Sequence, residues 1–243
     1  SIVAVGFGGA NEQTMRAIAS APSSDFAFFG ASMDEVRQHF ASDRLCELAA
    51  SPKAPPPPPS TPAPPGLPPS PPSPSPAPPS PPACVVKLEL VLVLDKSGSV
   101  RAEQSSLLAF AREMVSQFRL DATEGARVGV VEFSSDAATL TPLTGSLSDV
   151  LTAIDGASAA GGGTSVSDGL ELGRAEVNRG ARADVPRTIL LLTDGVQTVD
   201  GNDDTAIAKA AAVKQDGISI VAVGFGGANE QTMRAIASAP SSD

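Results

Sequence analysis

The sequence predicts an α/β fold: a doubly wound, mostly parallel six-stranded sheet with helices on both faces, joined to a polyproline II linker. Three observations lead to this prediction. Apolar, strand-like runs alternate with amphipathic helical patterns from residue 83 onward. The turns between them are short. A separate stretch, residues 52–82, has 19 prolines among 31 residues and cannot form a core.

The first predicted strand, residues 86–95, is a continuous apolar run, which is typical of a strand buried within a parallel sheet. The helix predicted over residues 101–120 has an apolar face formed by Leu107, Leu108, Phe110, Ala111, Met114, Val115 and Phe118. Strands are then predicted at residues 126–135 and 137–144. Pro142 lacks an amide donor, so the second of these belongs at a sheet edge.

The same alternation continues along the chain. Helices are predicted over residues 147–156, 164–180, 204–217 and 229–240, and strands over residues 187–195 and 218–226. The first of these helices ends at Gly156, a common helix terminator. Near the start of the chain, a strand is predicted at residues 25–32 and a helix at residues 33–51.

Residues 1–25 are identical to residues 219–243, at an offset of 218 positions. This identity indicates a window on a tandem array with a 218-residue period, a local duplication, or an artificial one. The array is favoured because the strand and helix that would complete the second copy follow the first copy, at residues 26–50. The predicted domain organisation has three parts: residues 1–51 as the C-terminal part of one domain, residues 52–82 as the linker, and residues 83–243 as the N-terminal and central part of the next domain.

The linker is predicted to be a polyproline II rod, because proline fixes φ and removes the amide donor. Its length is about 95 Å at the rise of that helix. A plain spacer and a P-x-x-P ligand are alternatives. The repeated Ser-Pro and Pro-Pro-Ser motifs resemble those of the hydroxyproline-rich glycoproteins of plant and green-algal walls. This resemblance implies secretion, hydroxylation and glycosylation. Candidate modified residues are Pro56, Pro57, Pro58, Pro59, Ser60, Pro69, Ser70, Pro72, Ser73, Pro74, Ser75, Pro76, Pro79 and Ser80.

Composition limits the possible functions. The net charge of −10 disfavours nucleic acid and anionic membrane as partners. Nine Phe without Trp or Tyr argue against a stacking surface for bases or sugars. No run of 18 apolar residues occurs, so no membrane span is expected in this segment. His39 is the only histidine, and no Ser-His-Asp set supports a hydrolase.

Oxygen-bearing side chains gather where predicted strands end. Asp95, Ser97 and Ser99 form a D-x-S-x-S motif after the first strand, Thr164 follows three glycines, and Asp194 lies in TDG after another strand. Ligand sites of open α/β sheets lie at the carboxyl ends of their strands. An all-oxygen set of this kind suits a hard cation such as Mg²⁺.

These three motifs, in this order, resemble the von Willebrand factor type A domain and its metal-ion-dependent adhesion site (MIDAS). The resemblance covers the whole globular part of the chain. It implies that Ser97 and Ser99 bind Mg²⁺ (or Ca²⁺ or Mn²⁺) directly, and Thr164 directly or through water. Asp95 and Asp194 act largely through water. An acidic residue of a protein partner completes the coordination, so the ion is held loosely and the activity is adhesion rather than catalysis.

The two cysteines, Cys46 and Cys84, flank the linker. Some members of the family bridge their domain ends by a disulfide. The resemblance therefore implies that each cysteine pairs with the copy of the other in an adjacent repeat, and not across the linker. Such a bridge indicates an extracellular location. The alternative is two free buried thiols in a cytosolic protein.

Two further segments have simpler interpretations. The acidic run DGNDD lacks the spacing of an EF-hand, so Asp203 or Asp204 is predicted to cap the helix that starts near Thr205 rather than bind calcium. The glycine-rich segment GFGGAN lacks the spacing of a phosphate-binding loop and is predicted to be a strand-to-helix turn.

The sequence thus predicts a structural and adhesive repeat unit of a secreted, glycosylated fibrous protein. Its partners are neighbouring repeats and an acidic residue of a protein partner at the metal site. The alternative is an extracellular adhesion receptor or matrix binder with an external acidic ligand. Metal chelatases also contain this type of domain, but no ATPase motif accompanies it here.

Overall fold

The structure, a computed structural model, describes residues 84–238 and two short strands nearer the start of the chain. Four features of the sequence analysis lie outside the described residues. They are the linker with its candidate modified residues, the helix predicted over residues 33–51, His39 and Cys46.

The described elements follow the predicted alternation of strands and helices. The strands are β1 (Ala4–Gly6), β2 (Ala27–Phe29), β3 (Leu88–Asp95), β4 (Ala126–Phe133), β5 (Ala137–Thr144), β6 (Arg187–Thr193) and β7 (Ser219–Gly224). The helices are α1 (Gln104–Ser116), α2 (Leu147–Asp155), α3 (Val166–Gly180), α4 (Asp203–Gln215) and α5 (Glu230–Ile236), and a 3₁₀ turn, Ser99–Ala102, precedes α1.

All described strands belong to one mixed sheet in the order β2-β1-β7-β6-β3-β4-β5. Every neighbouring pair is parallel except β4 and β5. β3 lies between β4 and β6, and all eight of its residues are buried, as its apolar run predicted. β5 is an edge strand and contains Pro142, as predicted.

The sheet has seven strands among the described residues, whereas six were predicted. β2 comes from the predicted sixth strand, but its neighbour is β1 and not β7. β1 has the same sequence as the end of β7 and lies between β7 and β2. The physical reason is that two identical segments have the same strand propensity, so both can enter the sheet.

Alternate side chains of β3 enter two separate hydrophobic cores, one on each face of the sheet. Leu90, Leu92 and Leu94 pack with α1 and α2 in the first core. Val91 and Val93 pack with α3, α4 and α5 in the second. Each fully buried side chain of this size contributes about 1.5–3 kcal/mol.

Among the described residues, no helix is both long enough and apolar enough to cross a membrane.

Helix α3 lies unusually close to the sheet because two glycines face it. A Cβ atom added at Gly169 would lie 2.8 Å from a ring carbon of Phe133. One added at Gly173 would lie 2.8 Å from Cγ2 of Val93. Real Cβ atoms do not approach other atoms this closely, so the helix position depends on both glycines.

Glu89 joins several segments at the end of the sheet where the parallel strands begin. Its carboxylate is fully buried and accepts hydrogen bonds from Arg127 (Nε to Oε2, 2.9 Å) and from Arg182 (Nε to Oε1, 2.7 Å). The Arg182 guanidinium also donates to the carbonyls of Thr123 (2.9 Å) and Gly125 (2.8 Å). Burial raises the pKa of Glu89, but the hydrogen bonds from both arginines lower it by more, so its pKa lies below the ordinary 4.5.

We expect Gly173→Ala to lower the free energy of unfolding by about 1–3 kcal/mol, because the added methyl overpacks the contact with Val93. Chemical denaturation measures the change. Gly180→Ala, in the same helix, is the matched control, since its Cβ would lie at an ordinary 3.6 Å from Leu143. Equal destabilisation by both substitutions would contradict the close-packing explanation.

We expect Glu89→Gln to lower the free energy of unfolding at neutral pH by about 3 kcal/mol, because it leaves two arginines without their carboxylate. The folded-state pKa lies below the unfolded one, so this stabilisation is present above pH 4.5 and is lost as the pH falls through the folded-state value. Denaturation of both proteins across acidic pH should therefore show the difference narrowing. Glu124→Gln, at an exposed ion pair with Lys87, should change little.

Candidate metal centre

Two buried carboxylates meet where β3 and β6 end. β3 ends at Asp95, and Asp194 directly follows β6. The two strands are adjacent and parallel, so their carboxyl ends lie at the same edge of the sheet. Asp95 is 1% exposed and Asp194 is 7% exposed. Burial raises the pKa of both carboxyl groups.

Asp95 holds the first turn of the D-x-S-x-S motif in place. Its Oδ1 accepts a hydrogen bond from the amide of Ser97 at 2.7 Å. Its Oδ2 accepts one from the hydroxyl of Thr193 at 2.5 Å. The Thr193 hydroxyl in turn accepts from the amide of Gly195 at 3.2 Å. One carboxylate therefore joins the two loops that carry Ser97 and Asp194.

The hydroxyls of the motif lie between the carboxylates. Oγ of Ser97 is 3.0 Å from Oγ of Ser99. Oγ of Ser99 donates to Oδ1 of Asp194 at 2.7 Å. Ser99 is exposed while Ser97 is buried, so this row of oxygens reaches the surface.

Thr164 joins the group from the loop before α3. Its amide donates to Oγ1 of Thr198 at 2.8 Å, and its carbonyl accepts from the amide of Thr198 at 2.8 Å. A Cβ atom added at Gly195 would lie 3.4 Å from Oγ1 of Thr164 and 3.6 Å from Oγ of Ser99. The hydroxyls thus face one small space that Gly195 leaves open. The structure brings together all five residues predicted for the site.

The D-x-S-x-S loop and the glycine-rich loop are bonded through their backbones. The amide of Gly161 donates to the carbonyl of Lys96 at 2.7 Å, and the amide of Gly98 donates to the carbonyl of Gly162 at 3.0 Å. Gly162 has φ +83°, a left-handed conformation that favours glycine. The triple glycine therefore allows the loop that carries Thr164 to approach the motif.

Sequence reasoning missed a buried carboxylate that supports these loops. Glu132 is 3% exposed and pairs with Nζ of Lys96 at 3.1 Å. It also accepts hydrogen bonds from the amide and the hydroxyl of Ser158, both at 2.9 Å. A charged residue within the apolar strand sequence VGVVEF was the available signal.

Gln197, also buried, was missed as well. Its Oε1 accepts from the amide of Ser167 at 3.1 Å, and its Nε2 donates to the Ser167 hydroxyl at 2.7 Å. It thus connects the loop after Asp194 to the first turn of α3. No pattern in the sequence pointed to this contact.

The prediction that Asp203 or Asp204 caps α4 was wrong. Asn202 is the N-cap, because its side chain accepts from the amide of Asp204 at 3.1 Å and forms a capping box with Thr205. Asp203 instead accepts from the amide of Gln197 at 3.0 Å. Within the described residues, no group of three or more His, Cys, Asp or Glu side chains could hold a metal.

Cys84 is buried and disulfide-bonded. The sequence contains one other cysteine, Cys46, which lies outside the described residues. The alternative of free thiols therefore does not apply to Cys84. The pairing of each cysteine with a copy in an adjacent repeat stays a prediction. The strand-to-helix turn predicted for GFGGAN lies between β7 and α5, as expected.

The fold and the site define a class of protein. A family model for the von Willebrand factor type A domain matches residues 89–243, and the chain belongs to this family. Mouse matrilin-4 is 35% identical over 162 residues, which are 63% of this chain and 25% of that protein. Zebrafish von Willebrand factor A domain-containing protein 1 is 30% identical over 169 residues, 64% of this chain and 31% of that protein. This chain thus spans about a third or less of these relatives.

Solved structures show the same fold. Proximal thread matrix protein 1 from the mussel byssus, determined with a zinc-occupied MIDAS motif, is 26% identical with a TM-score of 0.55. The match covers 64% of this chain and 40% of that one. Manganese-loaded TRAP protein from Plasmodium vivax is 21% identical with a TM-score of 0.53, covering 62% of each chain, and shares the fold.

The residues present fit a divalent cation. Two carboxylates and three hydroxyls supply hard oxygen ligands, which suit Mg²⁺, Mn²⁺ or Ca²⁺. Among the described residues, neither Asp95 nor Asp194 has an ion pair with lysine or arginine. Buried carboxylates without a protein cation are costly, and a bound metal ion offsets that cost.

We expect the rise in Tm produced by Mn²⁺ to shrink as the pH falls from about 7 to 4. Because the pKa values of Asp95 and Asp194 are raised, protons compete with the cation at pH values above those at which an ordinary carboxyl group titrates. Thermal unfolding with Mn²⁺ and with EDTA at each pH measures the effect. Titration of Glu89 changes the Tm in both solutions, so subtracting the Tm in EDTA from the Tm in Mn²⁺ removes its contribution. A Tm rise that is constant down to pH 4 would contradict this assignment.

Proposed function

We propose that this chain is a non-enzymatic adhesive repeat unit of a secreted fibrous protein, in which type A domains hold a divalent cation and proline-rich rods separate them. The observation that carries the proposal is the convergence of two buried carboxylates and three hydroxyls, with neither carboxylate ion-paired to a lysine or arginine in the part of the chain that the structure describes. The zinc-occupied MIDAS motif of the mussel byssus protein, itself a thread matrix protein, supports a metal role for the same type of domain.

The predicted ligand set assigns a role to each residue. Ser97 and Ser99 would hold the cation directly, and Thr164 directly or through water. Asp95 and Asp194 would act largely through water, while Asp95 also keeps the loop in place through Ser97 and Thr193. The cation supplies a positive charge that an acidic side chain of a partner can bind.

The site is placed for a partner rather than for a small substrate. Ser99 is exposed, and Val196, two residues after Asp194, is 37% exposed. The oxygens are therefore reached from the surface, and an exposed apolar residue follows Asp194 in the sequence. In a tandem array, many weak contacts of this kind become collectively strong. This supports neighbouring repeats as partners.

The linker extends the proposal to the whole repeat. Residues 52–82 would form a rod of about 95 Å, with hydroxylation and glycosylation at its Pro-Ser motifs. Cys84 is disulfide-bonded, which is consistent with an extracellular location. The alternative function is an adhesion receptor or matrix binder that uses the same site for an external acidic ligand.

We expect Ser99→Ala to weaken Mn²⁺ binding by at least about tenfold, or about 1.4 kcal/mol, because it removes a direct ligand from the exposed end of the site. Isothermal titration calorimetry measures the affinity. Ser116→Ala, which removes an exposed hydroxyl at the end of α1, is the control and should bind normally. Unchanged affinity in Ser99→Ala would rule out the assigned site.

Sedimentation of the same two variants distinguishes the two functions. If repeats are the partners, the unmodified chain and Ser116→Ala associate in Mg²⁺ and dissociate in EDTA, and Ser99→Ala stays monomeric. If all three proteins stay monomeric in Mg²⁺ while the site binds the cation, the receptor function is favoured.

A further inference from the structure

Glu132 occupies a core position although it carries a charge. It directly precedes Phe133, the last residue of β4, and its register partner on β3 is Leu94. Paired residues of neighbouring strands face the same side of a sheet, so Glu132 shares the side of Leu94, which belongs to the core formed with α1 and α2. A buried carboxylate at such a position is costly unless its oxygens are bonded. The partners of Glu132 therefore indicate its role.

The carboxylate of Glu132 joins two segments that are far apart in the sequence. Its Oε1 pairs with Nζ of Lys96 at 3.1 Å and accepts a hydrogen bond from Oγ of Ser158 at 2.9 Å. Its Oε2 accepts one from the amide of Ser158 at 2.9 Å. Lys96 is the second residue of the D-x-S-x-S motif, and Ser158 precedes Thr164 by six residues. One side chain thus connects the motif to the segment that leads to Thr164.

Two residues that follow the motif hold the same segment from another direction. Nε2 of Gln104 donates to the carbonyl of Ser158 at 2.6 Å, and its Oε1 accepts from the amide of Ala160 at 3.0 Å. Arg101, in the 3₁₀ turn before α1, donates to the carbonyl of Ala160 at 3.3 Å. The segment that leads to Thr164 is therefore held by β4, by the motif and by the start of α1.

The backbone of Lys96 is fixed as well. Its amide donates to the carbonyl of Phe133 at 2.8 Å, and its carbonyl accepts from the amide of Gly161 at 2.7 Å. Both oxygens of Glu132 are used by Lys96 and Ser158, and neither of these two partners is a predicted ligand of the cation. Glu132 therefore acts on the site through other residues and not as a ligand.

We propose that Glu132 is a positioning residue of the metal site. By binding Lys96 and Ser158 together, its carboxylate holds the D-x-S-x-S loop at the distance from Thr164 that one cation requires. Mg²⁺ accepts its ligands at about 2.0–2.1 Å, so small displacements of either loop weaken binding. Residues that orient metal ligands contribute about 10–100-fold to metal affinity. This inference rests on the metal site proposed above and adds a residue that sets its affinity.

Mn²⁺ titration of the full chain tests the proposal. Glu132→Gln keeps the shape of the side chain and removes the charge that pairs with Lys96. The matched control is Glu176→Gln, because Glu176 is also buried, at 2% exposed, and also binds a hydroxyl and a cation. These are Thr139 at 2.8 Å and Arg179 at 3.0 Å. Glu176 lies about 15 Å along α3 from its N-terminal end.

We expect Glu132→Gln to weaken Mn²⁺ binding about 10–100-fold in isothermal titration calorimetry, and Glu176→Gln to bind as the unmodified chain does. Both variants should be less stable in EDTA, so a loss of stability alone does not explain a difference in affinity. The electron paramagnetic resonance spectrum of bound Mn²⁺ should change only in Glu132→Gln, since a displaced loop alters the coordination of the ion.

Ser158→Ala keeps the proposal testable if Glu132→Gln does not fold. Ser158 is exposed, and the substitution removes one hydrogen bond while the charge pair with Lys96 stays. It should weaken Mn²⁺ binding at least about twofold.

Normal Mn²⁺ affinity in Glu132→Gln or in Ser158→Ala would overturn the positioning role, and so would an equal loss in Glu176→Gln. The metal site itself would stand in these cases. Binding that is absent from the unmodified chain, or that Ser99→Ala leaves unchanged, would instead overturn the proposed site and this inference with it.

Discussion

The burial of two carboxylates on one strand sets the organisation of this domain. β3 is enclosed by neighbouring strands and by helices, and its only charged side chains are Glu89 and Asp95. A charge that is taken out of water must be paired, hydrogen-bonded or neutralised. The protein treats the two ends differently. Glu89 receives two arginines, while Asp95 receives a hydroxyl and an amide and, within residues 84–238, no ion pair with a lysine or arginine.

That difference separates the structural end of the sheet from the functional end. Around Glu89, the guanidinium of Arg182 bonds loop carbonyls as well as the carboxylate, so this end is electrostatically complete without any ligand. Around Asp95, the donors that the described residues supply are the Ser97 amide and the Thr193 hydroxyl, which are neutral. The supporting charge pair, Glu132 with Lys96, is used within the protein and leaves the site itself unneutralised. A divalent cation would complete this end as the arginines complete the other.

The part of the site that follows from strand ends was predictable from the sequence, and the part that follows from loop contacts was not. Asp95 and Asp194 were found because parallel strands bring their carboxyl ends together. Gln197 and Thr198 act through loops that meet only in the folded protein, and no periodic pattern marks them. The strand count was wrong for a similar reason. Local propensity shows that a copied segment is a strand, but it does not show that this strand lies beside β7.

The two edges of the sheet differ in a way that gives the domain polarity. At one edge, β5 runs antiparallel and carries Pro142, which has no amide to offer an incoming strand. Towards the other edge, the neighbouring strands β2, β1, β7 and β6 are all parallel, and Ser238 covers the backbone of Ile220 near the start of β7. An added strand therefore meets a missing amide at the β5 edge, which disfavours aggregation of the sheet from that side.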